Sequence, residues 1–173
     1  MIYLKTTEEI ELMRQANILV SRTLGEVAKW VAPGVTTHKL DTIAREFIQD
    51  NGGRPACLGY GGFPGTLCIE VNEVVVHGFP SNYTLREGDI IGTDCVVELN
   101  GFHGDTCYTF PVGEIDEKVM TLCKTTKESL YKGIAACVLS YCLCSLSLGI
   151  CSRRCKLCSV YPFHTLQQSQ ALP

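Results

Sequence analysis

Acidic residues are missing from the last quarter of this chain. All 18 Asp and Glu residues lie at or before Glu128. Charge of either sign is also missing from Gly133 to Ser152, a run of twenty residues bounded by Lys132 and Arg153. An excess of positive charge is missing too. A formal net charge of −3 and a pI near 5.8 lack the basic footprint of a nucleic-acid-binding protein. Glu8, Glu9 and Glu11 interrupt any apolar run at the start, so no secretory leader is expected there. The remaining composition is that of an ordinary globular protein, 46% hydrophobic and 19% charged. A length of 173 residues is enough for one domain with a real core.

Cysteine, by contrast, is plentiful. Five of the eleven cysteines are scattered over residues 1–136, and six crowd into residues 137–158. Scattered cysteines without a leader point to reduced thiols in a cytoplasmic protein, not to a disulfide framework.

Thr6-Thr7-Glu8-Glu9 reads as a capping box that opens a helix. Met13, Ala16, Val20, Leu24, Val27 and Val31 then recur at three- and four-residue steps and form one apolar stripe, which Pro33-Gly34 ends. Thr37 caps a second helix whose buried face is Leu40, Ile43, Ala44, Phe47 and Ile48, stopped by Asn51-Gly52-Gly53. Residues 54–113 change character and become rich in glycine, β-branched residues and turns. Strands are expected at Thr66–Ile69, Val74–His77, Ile90–Leu99 and Cys107–Val112, and a third helix from about Asp116 to Cys137. Two helices, several antiparallel strands and a helix make an α+β fold, with helices packed on one face of the sheet.

Asn100-Gly101 is a strong two-residue hairpin signal. With those residues in the turn, positions summing to 201 face each other, so Asp94 opposes Cys107. Asp105 then lies two residues along on the same face. A diagonal pair of this kind is ~7–8 Å apart at Cα, with room for a cation between the carboxylates. Two bare carboxylates on one ribbon repel unless a metal or a proton neutralises them. Asp oxygens are hard donors suited to Mn, Fe, Zn or Mg. An Asp beside a hairpin also commonly caps a turn, and that reading stands beside the metal one. His77 closes the run Val74-Val75-Val76-His77-Gly78, where a structural hydrogen-bonding role and a catalytic one are both open.

Several segments together resemble the type I methionine aminopeptidases, metallopeptidases of family M24 with the pita-bread fold. They are Pro55-Ala56-Cys57-Leu58-Gly59-Tyr60, Val71-Asn72-Glu73-Val74-Val75-Val76-His77-Gly78, Gly88–Asp94 and Gly101–Thr106. The opening Thr6–Arg14 and the Pro33–Thr37 turn are also typical. The resemblance covers roughly residues 1–138 and implies removal of the initiator methionine from nascent proteins, in a ribosomal and cytoplasmic setting. It implies a centre of two divalent ions (Co, Mn, Fe or Zn), which lower the pKa of a bridging water and polarise the peptide carbonyl. On this resemblance Asp94 and Asp105 match the two aspartate ligands. His77 matches the histidine that contacts the scissile amide, and Cys57, Tyr60, Phe63 and Cys68 line the methionine pocket.

The resemblance is incomplete. The family's remaining ligands are a histidine followed by Gly-Ile-Gly and two later glutamates. The chain has no glutamate after Glu128, and His164, between Phe163 and Thr165, lacks the motif. The expectation is the N-terminal half of a pita-bread fold over residues 1–137, followed by a divergent Cys-rich tail over residues 138–173. Little aminopeptidase activity is expected of the chain alone, and its uncovered sheet face should favour self-association. One rival is a non-catalytic half-domain that binds a partner or nascent chain. Another is a membrane tether through residues 133–152, a run long enough to span at ~20 residues. For the tail, a misjoined or frame-shifted segment, a membrane helix, and a zinc knot from Cys142, Cys144, Cys151, Cys155 and Cys158 are the alternatives. The knot lacks the paired C-x₂-C spacing.

Overall fold

A computed structural model describes residues 4–147. The chain divides into two units, Met1–Met120 and Thr121–Pro173. The first opens with helix α1 (Thr7–Ala28), for which Thr6 and Glu9 form the expected reciprocal capping box. Its buried residues are Ala16, Leu19, Val20, Thr23, Leu24 and Val27. The helix ends at the Lys29 cap, before the Pro33-Gly34 stop read from the sequence. Helix α2 (Thr37–Asp50) is capped by the Thr36 hydroxyl, which accepts from Lys39 N–H. The cap is thus one residue earlier than expected, because Thr37 instead turns inward and its hydroxyl donates to Ser81 O at 3.0 Å.

The sheet is built around strand β3 (Ile90–Leu99). Strand β4 (Phe102–Pro111) runs antiparallel along one edge of it through the Asn100-Gly101 turn, in the register that pairs Asp94 with Cys107. Asn100 and Gly101 have φ of 53° and 79°, the left-handed pair that a two-residue turn of this kind requires. The other edge of β3 is shared by β2 (Leu67–Val71) and the short β1 (Arg54–Pro55). Buried Asp41 of α2 fixes the start of β2 by accepting from Thr66 N–H at 2.6 Å and Leu67 N–H at 2.8 Å.

One core unites these elements: Leu19, Val20, Leu24 and Val27 of α1, Leu40, Ala44 and Ile48 of α2, and the inward residues of the strands. The α+β arrangement with α1 and α2 on one sheet face is therefore as expected. The strand expected at Val74–His77 is not formed. Asn72 and His77 have φ of 52° and 56°, and these left-handed residues break the extended geometry at both ends of the valine run. The valines are exposed, Val75 at 86%.

Helix α3 (Glu117–Ser147) starts at the end of the first unit, beyond Asp116, whose carboxylate accepts from Lys118 N–H at 2.8 Å, and runs on into the second. It continues past Cys137, where the sequence reading ends it. Among the described residues no helix is long and apolar enough to cross a membrane. The end of the apolar run, Cys151, Cys155, Cys158 and His164 lie outside the described residues.

Candidate functional site

Alternation along β3 sends its residues to opposite faces. Ile91, Thr93, Cys95 and Val97 are fully buried beneath α1 and α2, and Gly92, Asp94 and Val96 are half-buried on the opposite face, which α1 and α2 leave open. Cross-strand pairing extends that open face into rows. Asp94 lies between Cys68 of β2 and Cys107 of β4, Gly92 lies between Glu70 and Thr109, and Val96 lies beside Asp105. Asp94 and Asp105 thus share the open face, as the hairpin register predicts, and each carboxyl lies within the other's electrostatic reach.

The electrostatics of this face follow from its crowding. Burial raises the Asp94 pKa, the charge of Asp105 raises it further, and the nearby His77 imidazole works in the opposite sense. Burial likewise raises that of Glu70, against the pull of the Gly78 N–H, and Asp94 adds to the rise. The thiols respond to the same field. Cys68 is pushed up to about 12 by burial, then by Cys57, Asp94 and Glu70. Cys107 goes to about 11 through desolvation, then through Asp94, Glu70 and Asp105. Both thiols stay protonated at neutral pH, which excludes a thiolate nucleophile here. The face is instead a negative surface suited to a hard cation.

The other residues singled out from the sequence gather on loops around this face. Cys57 follows β1 and is half-buried, and burial raises its thiol pKa, as does the charge of Asp94. Tyr60 opens a single 3₁₀ turn and is 82% exposed. Phe63 packs edge-on against Phe79, with ring centroids 5.3 Å apart. His77 is exposed on the loop after β2, and Ile69 N–H donates to Gly78 O at 2.9 Å to hold that loop to the strand. A recess of about 310 Å³ beside Val71, Val74 and Tyr83 is lined also by Ile69, Gly78 and Phe79, but not by Cys57, Tyr60, Phe63, Cys68, His77, Asp94 or Asp105. Glu70 has no motif to mark it. The signal available was parity, since it stands two residues after Cys68 on the same face of the strand. Among the described residues no three His, Cys, Asp or Glu side chains converge as a metal-binding group.

The sequence profile of metallopeptidase family M24 matches residues 11–146. The chain belongs to this family. It is 50% identical over 134 residues to a methionine aminopeptidase of Clostridium perfringens, an alignment that covers 78% of this chain and 54% of that protein. The crystal structure of the Rickettsia prowazekii methionine aminopeptidase superimposes with a TM-score of 0.76 at 37% identity, over 78% of this chain and 54% of that one. Aminopeptidase P of Escherichia coli shares the fold alone, at 21% identity and a TM-score of 0.56, with 65% of this chain and 25% of that chain covered. The α+β sheet is thus that of the pita-bread M24 proteins, and the chain spans about half the length of the methionine aminopeptidases it matches.

Proposed function

We propose that this chain carries the aspartate-bearing part of a methionine aminopeptidase site, and that the 173-residue polypeptide has little or no turnover by itself. The observation that carries this reading is the register that places Asp94 and Asp105 together on the sheet face opposite α1 and α2. In this role the two aspartates are the cation donors. His77 meets the scissile amide of a nascent chain's N-terminus, and Cys57, Tyr60, Phe63 and Cys68 receive the methionine side chain. Sulfur and aromatic groups suit a thioether.

The donors fit one end of a hard-cation site. They do not fit a complete two-metal centre, because two carboxylates leave most coordination positions to water. No catalytic step is therefore assigned to this chain alone. Among the described residues no further side chain completes a metal-binding group. The exposed Tyr60, Val75, Val76 and Phe79 favour a covering partner, a second copy included. The free cysteines Cys57, Cys68, Cys95, Cys107 and Cys123 suit a reducing, cytoplasmic setting.

Hydrolysis of a Met-Ala-Ser peptide with added Co or Mn tests this directly. The expected result is release of methionine no faster than in an Asp94→Asn control. Metal-dependent release well above that control would overturn the claim of inactivity.

A further inference from the structure

Glu70 lies on the face that carries Asp94 and Asp105, yet it is only 8% exposed. Two features account for its burial. Its cross-strand partner is Gly92, and a Cβ placed there would lie 2.9 Å from Glu70 Oε2 and 3.3 Å from Glu70 Cβ. The missing side chain is the space in which the carboxyl sits. From the other side, the loop that follows β2 returns, and Gly78 N–H donates to Glu70 Oε1 at 3.3 Å. The His77 backbone acts on the same carboxyl and favours its charged form.

His77 itself has φ of 56°. A left-handed conformation costs a residue with a Cβ about 1–2 kcal/mol, and it persists only where its surroundings over-determine it. A buried carboxyl that accepts from the next N–H of the turn, Gly78, supplies such surroundings. His77 also acts electrostatically on Asp94, in the sense that lowers its pKa.

We propose that Glu70 is a positioning residue: seated over Gly92, its carboxyl receives the His77 and Gly78 N–H groups and fixes the left-handed turn that carries the His77 imidazole. The role rests on the reading of His77 as the group that meets the substrate, but the turn can be measured without turnover. Failure of the turn measurement would leave the aminopeptidase reading intact, and failure of the turnover assay would leave the turn intact.

Amide hydrogen exchange by NMR on the full chain tests it, with Glu70→Ala, Glu70→Gln and Gly92→Ala compared at one pH. Glu70→Ala should speed exchange at His77 and Gly78 by about tenfold or more, with Ile91 and Val97 of β3 unchanged. Glu70→Gln keeps an acceptor oxygen and should stay within about threefold of the parent chain. Gly92→Ala leaves Glu70 in place but fills its seat, and should resemble Glu70→Ala at the two amides. Unchanged exchange at His77 and Gly78 in Glu70→Ala, or equal acceleration in Glu70→Gln, overturns the assignment. Should Glu70→Ala loosen β3 as a whole, Gly92→Ala decides. Acceleration confined to residues 77 and 78 upholds the role, and uniform acceleration overturns it.

Discussion

The two faces of this sheet are built from alternate residues of the same strands, yet they obey opposite rules. Beneath the helices, Ile91, Thr93, Cys95 and Val97 have no exposed surface and belong to the continuous core or border it. One residue out of phase, Asp94 stands beside Cys107 and within reach of Asp105, in a row that holds raised carboxyl and thiol pKa values. The first face is stabilised by removing apolar area from water. The second holds like charges together at a cost that only a proton, a cation or a partner relieves. Stability and chemistry are thus separated by a single step of register, and a slip of one residue in β3 would exchange them.

Substitutions on the two faces should move stability in opposite directions. The largest effect is expected from Ile91→Ala, which removes a fully buried side chain from the core. It should cost about 2–5 kcal/mol in urea unfolding. A loss under about 1 kcal/mol would mean that this face is not the one that holds the fold together.

A smaller effect of the opposite sign is expected from Asp94→Asn. The folded-state pKa values of Asp94 and Glu70 lie above their ordinary values. Their stabilising contribution is therefore fully present below the ordinary carboxylate range near pH 4 and is lost as pH rises through the folded-state values. At neutral pH the amide should stabilise the chain by about 1 kcal/mol or less, since the site is partly open to water. Denaturation of the two chains from pH 4 to pH 7 checks this. The gain should grow with pH, and subtracting one curve from the other removes groups such as Asp89, whose pKa is shifted the other way. A difference independent of pH would show that the carboxyl crowding does not reach the folding equilibrium.

Much of this division was legible in the sequence. The capping box at Thr6, the α1 stripe and the Asn100-Gly101 turn each rest on local chemistry, and the turn alone sets the register that brings Asp94 and Asp105 to one face. What escaped depends on distant partners. Three β-branched residues read as a strand at Val74–Val76, but no partner strand pairs with them and left-handed residues flank them. Strand β4 begins at Phe102, earlier than the expected Cys107, because pairing with β3 carries Gly104 and Asp105 along despite their low strand propensity. Glu70 acquires its place only when Gly92 and the returning loop meet it. The mutual influence of the two carboxyl groups depends on side-chain directions that a Cα spacing does not reveal.

The most direct test of the open face as part of a metal site is a calorimetric titration of the chain with Mn²⁺, with Asp105→Asn as the control. Two carboxylates should give one weak site, with a Kd on the order of 10⁻⁴ M or weaker, abolished in the control. Two ions bound per chain at micromolar affinity would contradict the account.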